Sequence, residues 1–282
     1  VHLFIIGRIA PTPSNYMNET EIKEQVKAFW NDSACGTYIT DKDKYTLEYF
    51  EDIELDRYSK QPEIKPFAQF NKFKGKKLLE VGVGAGTDFL QWVRGGAEAY
   101  GVDLTEEAIA HVEHRLGLYG LTAKEFRVAD CENLPYSDNF FDVVYSWGVI
   151  HHTPDTPKAM REIYRVLKPG GNAKVMIYHR HSVLTYLFWV KHALLKGKPF
   201  LSLSKVLFDN MESIGTKAYT KGEAKDMLKG LNYDNLNIRP VLTYYDKLER
   251  FNPAMQYVAK ILAKFLGGDK AGWFLLIEFD KK

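Results

Sequence analysis

The residues best equipped for chemistry gather in a few short runs. Glu80-Val-Gly-Val-Gly-Ala-Gly86 closes the apolar run KKLLEV and sets glycines at 82, 84 and 86. Gly82 and Gly84 allow a tight turn and a close approach of backbone to ligand, and Gly86 opens the next helix, whose free N–H groups attract negative charge. Glu80 stands where it can orient that loop or meet a positive ligand group. Asp103 follows a second apolar run, and a carboxylate there can accept both hydroxyls of a ribose. Asp130, with Cys131 beside it, follows a third run and can accept from the exocyclic amine of an adenine. The plainer reading of each acidic residue is a loop carboxylate that caps a helix.

A second group is rich in histidine. His151 and His152 follow FDVVYSW, while His179 and His181 close NAKVMIYHRH. Imidazole titrates near pH ~6.5, which suits a general base. His151, His152 and His179 are the candidate catalytic residues, with His181 on the substrate side. Tyr178, Tyr244 and Tyr245 offer hydroxyl donors or pocket walls. Tyr38, Arg57 and Tyr58 lie in an early polar segment expected to fold over the ligand, where Arg57 can meet a carboxylate. The alternatives are capping or solvated histidines, core or surface tyrosines and a surface arginine. No metal site is expected, because no carboxylate near the histidines has a recognisable ligand spacing.

These residues need elements to hold them. Strands are expected at 76–81, 97–102, 124–129, 141–147 and 172–179, alternating with helices at 87–94, from 105 and from 156. Thr105 caps the second of these helices, with Glu106 and Glu107 in its first turn. The third has Thr156 as its cap and Pro157 first, and Gly170–Gly171 stop it. Such alternation implies right-handed crossovers and a doubly wound, mostly parallel α/β sheet. Ligands bind such sheets beyond the carboxyl ends of the strands, near a switch point. The glycines, Asp103, Asp130, Ser146–Trp147 and His179 all fall there.

Outside this region the signals are weaker. Ile22, Val26 and Phe29 mark a helix over 17–30, and 30–64 is polar and aromatic with few strand patterns. An apolar helix is expected over 182–195, a helix near 221–229 and a strand near 236–241. Phe251, Met255, Val258, Ile261, Leu262 and Phe265 form a helical stripe between Asn252–Pro253 and Gly267. A closing strand at 273–279 is expected to run antiparallel. The stripes at 184–195 and 251–265 suit core or dimer packing, or a hydrophobic pocket or membrane-surface contact. The division is therefore a tail at 1–16, native or added, an N-terminal helical lid segment at 17–70, and a domain at 71–282 with lid insertions about 182–220 and 242–270.

The 282 residues carry a net charge of +2 with both signs interleaved. No basic face for nucleic acid is expected. Cys35 and Cys131, the two cysteines, form no CxxC pair. Neither a disulfide framework nor a thiolate metal site is expected, and a reducing cytoplasm fits. No apolar run reaches the ~18 residues of a membrane span.

In ordered combination LLEVGVGAGTDFLQW (78–92), Asp103, VADCENLP (128–135), FDVVYSWGVIHH (141–152) and REIYRVLKPGG (161–171) resemble class I S-adenosylmethionine-dependent methyltransferases. The nearest branch is that of the ubiquinone/menaquinone-biosynthesis enzymes, and the resemblance is dense over about 76–180. It implies a seven-stranded sheet with the last strand antiparallel. It also implies Gly82, Gly84 and Gly86 around the methionyl part, Asp103 on the ribose, Asp130 and Cys131 near adenine, and Ser146–Trp147 under the sulfonium, with Leu104 a further cofactor-binding residue. The expected function is methyl transfer from S-adenosylmethionine to a small-molecule acceptor by in-line displacement, leaving S-adenosylhomocysteine. The alternatives are a nicotinamide-dependent oxidoreductase, against which Thr87 stands where GxGxxG needs its last glycine, and a non-catalytic binding protein on the same fold.

Overall fold

The computed structural model describes residues 18–282 except 33, 35, 212, 214 and 250. The expected tail 1–16 and Cys35 lie outside the described residues. The chain begins with α1 (Glu19–Asp32), α2 (Leu47–Lys60) and α3 (Ile64–Ala68). The alternating part follows as β1 (Lys77–Val81), α4 (Thr87–Arg94), β2 (Glu98–Asp103), α5 (Glu106–Leu118), β3 (Glu125–Val128), β4 (Phe141–Trp147), α6 (Thr156–Val166) and β5 (Leu167–Tyr178). The last third holds α7 (Val183–His192), α8 (Leu203–Asn210), α9 (Lys221–Asp226), β6 (Tyr233–Val241), α10 (Pro253–Phe265) and β7 (Phe274–Lys281).

One seven-stranded sheet results, in the order β3-β2-β1-β4-β5-β7-β6. All neighbours are parallel except at β7, which runs antiparallel to both β5 and β6. Alternate residues of each inner strand serve opposite faces. Leu78, Val143 and Met176 join Phe89, Trp92 and Val112 in one core. Leu79, Val144 and Val175 join Ala159, Ile163 and Ala224 in the other. Burial on both faces explains why these strands read as continuous apolar runs.

Three local expectations are corrected. Asp155, not Thr156, caps α6, accepting from the Lys158 N–H, and the helix ends at Val166. Gly170 and Gly171 therefore do not stop it; they lie inside β5, at a shift that moves the β4 partner from Leu167 to Asn172. The polar stretch 30–64 contains α2, capped by Thr46 and burying only Tyr49, Phe50 and Ile53. In α1 only Val26 is buried, with Ile22 and Phe29 half-buried.

A buried carboxylate ties the segments after β5 and after β6 to the sheet. Asp246 accepts from the N–H groups of Leu184, Thr243 and Trp273 and from the Thr243 hydroxyl. It thereby joins the start of α7, the turn after β6 and the entry to β7. Burial raises its carboxyl to about 6. α10 packs in a separate apolar cluster through Ala259 and Ala263, with Val183 and Leu187 of α7.

Candidate active site

The connections diverge between β1 and β4, which leaves a crevice at their carboxyl ends. A cavity of about 560 Å³ lies there, within the usual range for a small-molecule site. Gly82, Gly84, Asp103, Leu104, Asp130, Cys131, Trp147, His152, Tyr38, Arg57, Tyr178, Tyr244 and Tyr245 all line it. Glu80, Gly86, Ser146, His151, His179, Tyr58 and His181 do not.

The glycine loop shapes the wall. Gly82, at φ +83°, donates to the Val102 carbonyl at 2.7 Å, and a Cβ there would stand 2.1 Å from Val149 Cγ2. Only glycine fits that crossing. At Gly84, φ +51°, an added Cβ would meet nothing within 4 Å, so this backbone lies open to a ligand. Gly86 sits behind the loop at the cap of α4, where a Cβ would lie 3.2 Å from Val112 Cγ2. Fully buried Arg115 fixes the loop from below, donating to the Ala85 carbonyl, the Thr87 hydroxyl, the Phe50 carbonyl and Glu54.

Two strand-end carboxylates face the same cavity. Asp103 accepts from the Gly84 N–H at 3.1 Å and from Thr105 through its N–H and hydroxyl. Those three bonds fix the orientation of the carboxylate at the cavity wall. Burial raises the Asp103 pKa. Asp130 accepts from Lys23 of α1 at 2.6 Å and from the Glu132 N–H. Lys23 also reaches Glu132 at 3.0 Å, which takes the Thr153 hydroxyl and the Asp155 N–H as well. Burial pushes the Cys131 thiol up to about 12, so it is a neutral wall group.

Below the wall lies a buried acidic pair. Asp88, which also touches the cavity, accepts from Arg57 Nε and Nη2 and from the hydroxyls of Tyr58 and Tyr145. Glu80 is buried close to it with Oε2 unpartnered among the described residues, and burial together with the Asp88 charge raises its pKa well above the ordinary 4.5. Glu80 lies beneath the loop and does not line the cavity. Ser146 likewise sits under the floor, donating to the Val81 carbonyl, while its neighbour Trp147 lines the cavity and donates to Gln61 at 2.7 Å.

Aromatic and aliphatic side chains form the rest of the lining: Trp147, Tyr178, Trp273 and Phe274 with Met176, Leu184 and Met211. Tyr178 stacks on Trp273 with centroids 4.2 Å apart. His152 alone of the four histidines reaches this chamber. Its Nδ1 meets the hydroxyls of Ser213 and Thr216, and Trp30 of α1 abuts its ring. Burial, with the Lys217 charge nearby, pushes His152 down to about 3. His151 is sealed against Tyr178, with neither ring nitrogen partnered among the described residues. His179 donates from Nδ1 to the Gly272 carbonyl, and exposed His181 pairs with the Tyr186 hydroxyl. Among the described residues no group of three metal-ligating side chains is present.

Lys23, Trp30, Asp88, Glu132, Trp273 and Phe274 were not among the sequence candidates. Lys23, Val26 and Trp30 share one face of α1, the single local signal. The arrangement fits a nucleoside bearing a charged side chain: an open glycine backbone, two strand-end carboxylates and an apolar chamber share one cavity.

Residues 79–174 match the family model described as a methyltransferase domain. Phosphoethanolamine N-methyltransferase 3 of Arabidopsis thaliana is 41% identical over 108 residues, 38% of this chain and 22% of that protein. The chain thus spans about a fifth of the first curated relatives it matches. Phosphoethanolamine N-methyltransferase 2 of Haemonchus contortus, solved with phosphomonomethylethanolamine and S-adenosylhomocysteine, aligns at TM-score 0.58 and 16% identity over 91% of this chain and 60% of that one. Geranyl diphosphate C-methyltransferase of Streptomyces coelicolor, solved with Mg2+, geranyl diphosphate and S-adenosylhomocysteine, aligns at 0.62 and 16% identity over 94% of this chain and all of that one. The fold is the class I methyltransferase fold.

Proposed function

We propose that this chain, with its methyltransferase domain in the class I fold, transfers the methyl group of S-adenosylmethionine to a small-molecule acceptor by in-line displacement. The observation that carries the reading is the sharing of one cavity by the Gly82–Gly84 backbone, Asp103, Asp130 and an aromatic chamber. When bound, the sulfonium supplies an activated methyl group and departs as the thioether of S-adenosylhomocysteine. The residues then have to align and to exclude water. Asp103 would take a ribose hydroxyl, Leu104, Asp130 and Cys131 would border the adenine, and Trp147 would back the transferring methyl.

His152, neutral throughout the physiological range, lends polarity to the chamber rather than strong basicity. The reaction therefore suits an acceptor that needs no strong protein base. Among the described residues the three cations of the lining are each matched to carboxylates: Lys23 to Asp130 and Glu132, Arg57 to Asp88, Lys60 to Asp56. That matching and the aromatic chamber favour an acceptor with a flat or aliphatic body. The motif run 128–171 supports the finer reading, nearness to the ubiquinone/menaquinone-biosynthesis branch. The residue roles, the lid assignments at 17–70, 182–220 and 242–270 and a cytoplasmic site of action belong to the same proposal.

The test is transfer of label from methyl-tritiated S-adenosylmethionine to hydroxylated aromatics, prenylated phenols and phosphoethanolamine. Label in an organic acceptor supports the reading. Failure with every class, while S-adenosylhomocysteine still binds, favours the non-catalytic alternative.

A further inference from the structure

Helix α10 is apolar on two faces, and among the described residues only one is covered. Its inner face packs Ala259, Leu262, Ala263 and Leu266 in the cluster shared with α7. Outward, Tyr257 is 65% exposed, Val258 49%, Ile261 40% and Phe265 84%. At 100° per residue these four fall within an arc of about 100°, a continuous stripe. Lys260 and Lys264, one turn apart and exposed, border it. A surface helix of a soluble domain ordinarily carries polar residues in that position, and an exposed apolar stripe marks a contact.

The chain beyond α7 repeats the combination. Leu195 is 75% and Phe200 99% exposed, with Lys191, Lys196 and Lys198 close by in the chain. Segments 190–200 and 253–270 together hold six lysines and one acid, Asp269, in a chain whose total charge is only +2. The remainder of the chain is thus net negative, and the positive charge is concentrated beside the exposed apolar groups.

We propose that the outer stripe of α10, with segment 194–200 as a second contact, seats the protein on an anionic lipid surface. The apolar side chains enter the acyl boundary and the lysines extend to headgroup phosphates. Charge complementarity selects this occupant. In a two-fold pair built on this stripe the same basic border would be gathered twice into one interface, with no acidic partner supplied by the patch. Among the described residues no helix is long and apolar enough to cross a membrane, so the contact is peripheral. The inference goes beyond the proposed methyl transfer and stands without it.

The test is co-sedimentation of the purified protein with vesicles of phosphatidylcholine alone or with phosphatidylglycerol. Binding is expected to the anionic vesicles and not to the neutral ones, and to weaken as salt rises. Lys260→Gln with Lys264→Gln should lower the affinity about 30-fold, at about 1 kcal/mol per lysine. Phe265→Ser and Phe200→Ser should each lower it about tenfold or more. These residues are exposed and none lines the cavity, so the circular dichroism spectrum, which checks folding, should be unchanged. Absence of binding to anionic vesicles at low salt, or equal binding by the lysine and phenylalanine variants, overturns the proposal. So does a dimer in sedimentation velocity that Phe265→Ser dissolves, which would assign the stripe to a second copy.

Discussion

Alanine at Gly82 and at Gly84 should fail in opposite ways. At Gly82 the new Cβ would lie 2.1, 2.7 and 2.9 Å from three Val149 side-chain carbons, far inside the ~3.5–4.0 Å of a normal carbon contact. Holding an L-residue at φ +83° costs about 1–2 kcal/mol, and displacing Val149 about 1–3 more. The total of about 2–5 kcal/mol lowers Tm by roughly 5–20 °C in a chain of this size. At Gly84 the methyl meets no protein atom within 4 Å, so only backbone strain of about 1–2 kcal/mol remains. That methyl would instead occupy ligand space, and S-adenosylhomocysteine affinity should fall about tenfold or more. Thermal melts and calorimetric titration of both variants separate the two effects. A Gly84→Ala protein that binds the ligand like the parent, or a Gly82→Ala protein that melts like it, refutes the reasoning.

Other outcomes follow from the same geometry. Asp103→Ala should weaken S-adenosylhomocysteine binding by about 1–3 kcal/mol, the cost of leaving hydrogen-bonding groups unpaired, as read by calorimetry. Lys23→Met removes the tie from α1 to Asp130 and Glu132. It should speed ligand dissociation several-fold in stopped-flow while costing only about 1 kcal/mol of stability, because the pair with Asp130 is partly exposed and Glu132 keeps Thr153 and Asp155. Asp246 has a folded pKa of about 6 against an ordinary 3.8. The folded state therefore keeps a proton that the unfolded state releases. Stability should fall by about 3 kcal/mol as pH rises from 4 to 6 and then level off. Urea unfolding of Asp246→Asn at pH 4 and pH 7 should lack that component.

What could be read from the sequence follows from how local each signal is. KKLLEV and FDVVYSW stand out because both faces of β1 and β4 are covered, and the caps Thr105 and Asn252 announce their helices within a few residues. α2 escapes because its outer face is charged and its buried stripe is narrow. Strand ends locate Gly82, Asp103, Asp130 and Trp147 on the cavity wall. The same rule fails at Glu80 and Ser146, because alternation along a strand turns neighbouring side chains away from one another. His151 and His179 stand beside the cavity in the chain but spend themselves on packing and on a carbonyl. The tie from Lys23 to Glu132 spans 109 residues and has no local signature. Phe274 enters only because β7 lies against β5, opposite Tyr178.

The measurement closest to the central claim is calorimetric titration of the purified protein with S-adenosylhomocysteine, with NAD as the comparison ligand. The cavity geometry predicts micromolar, one-site binding of S-adenosylhomocysteine and none of NAD. Binding of NAD alone would contradict it and return the chain to the nicotinamide reading.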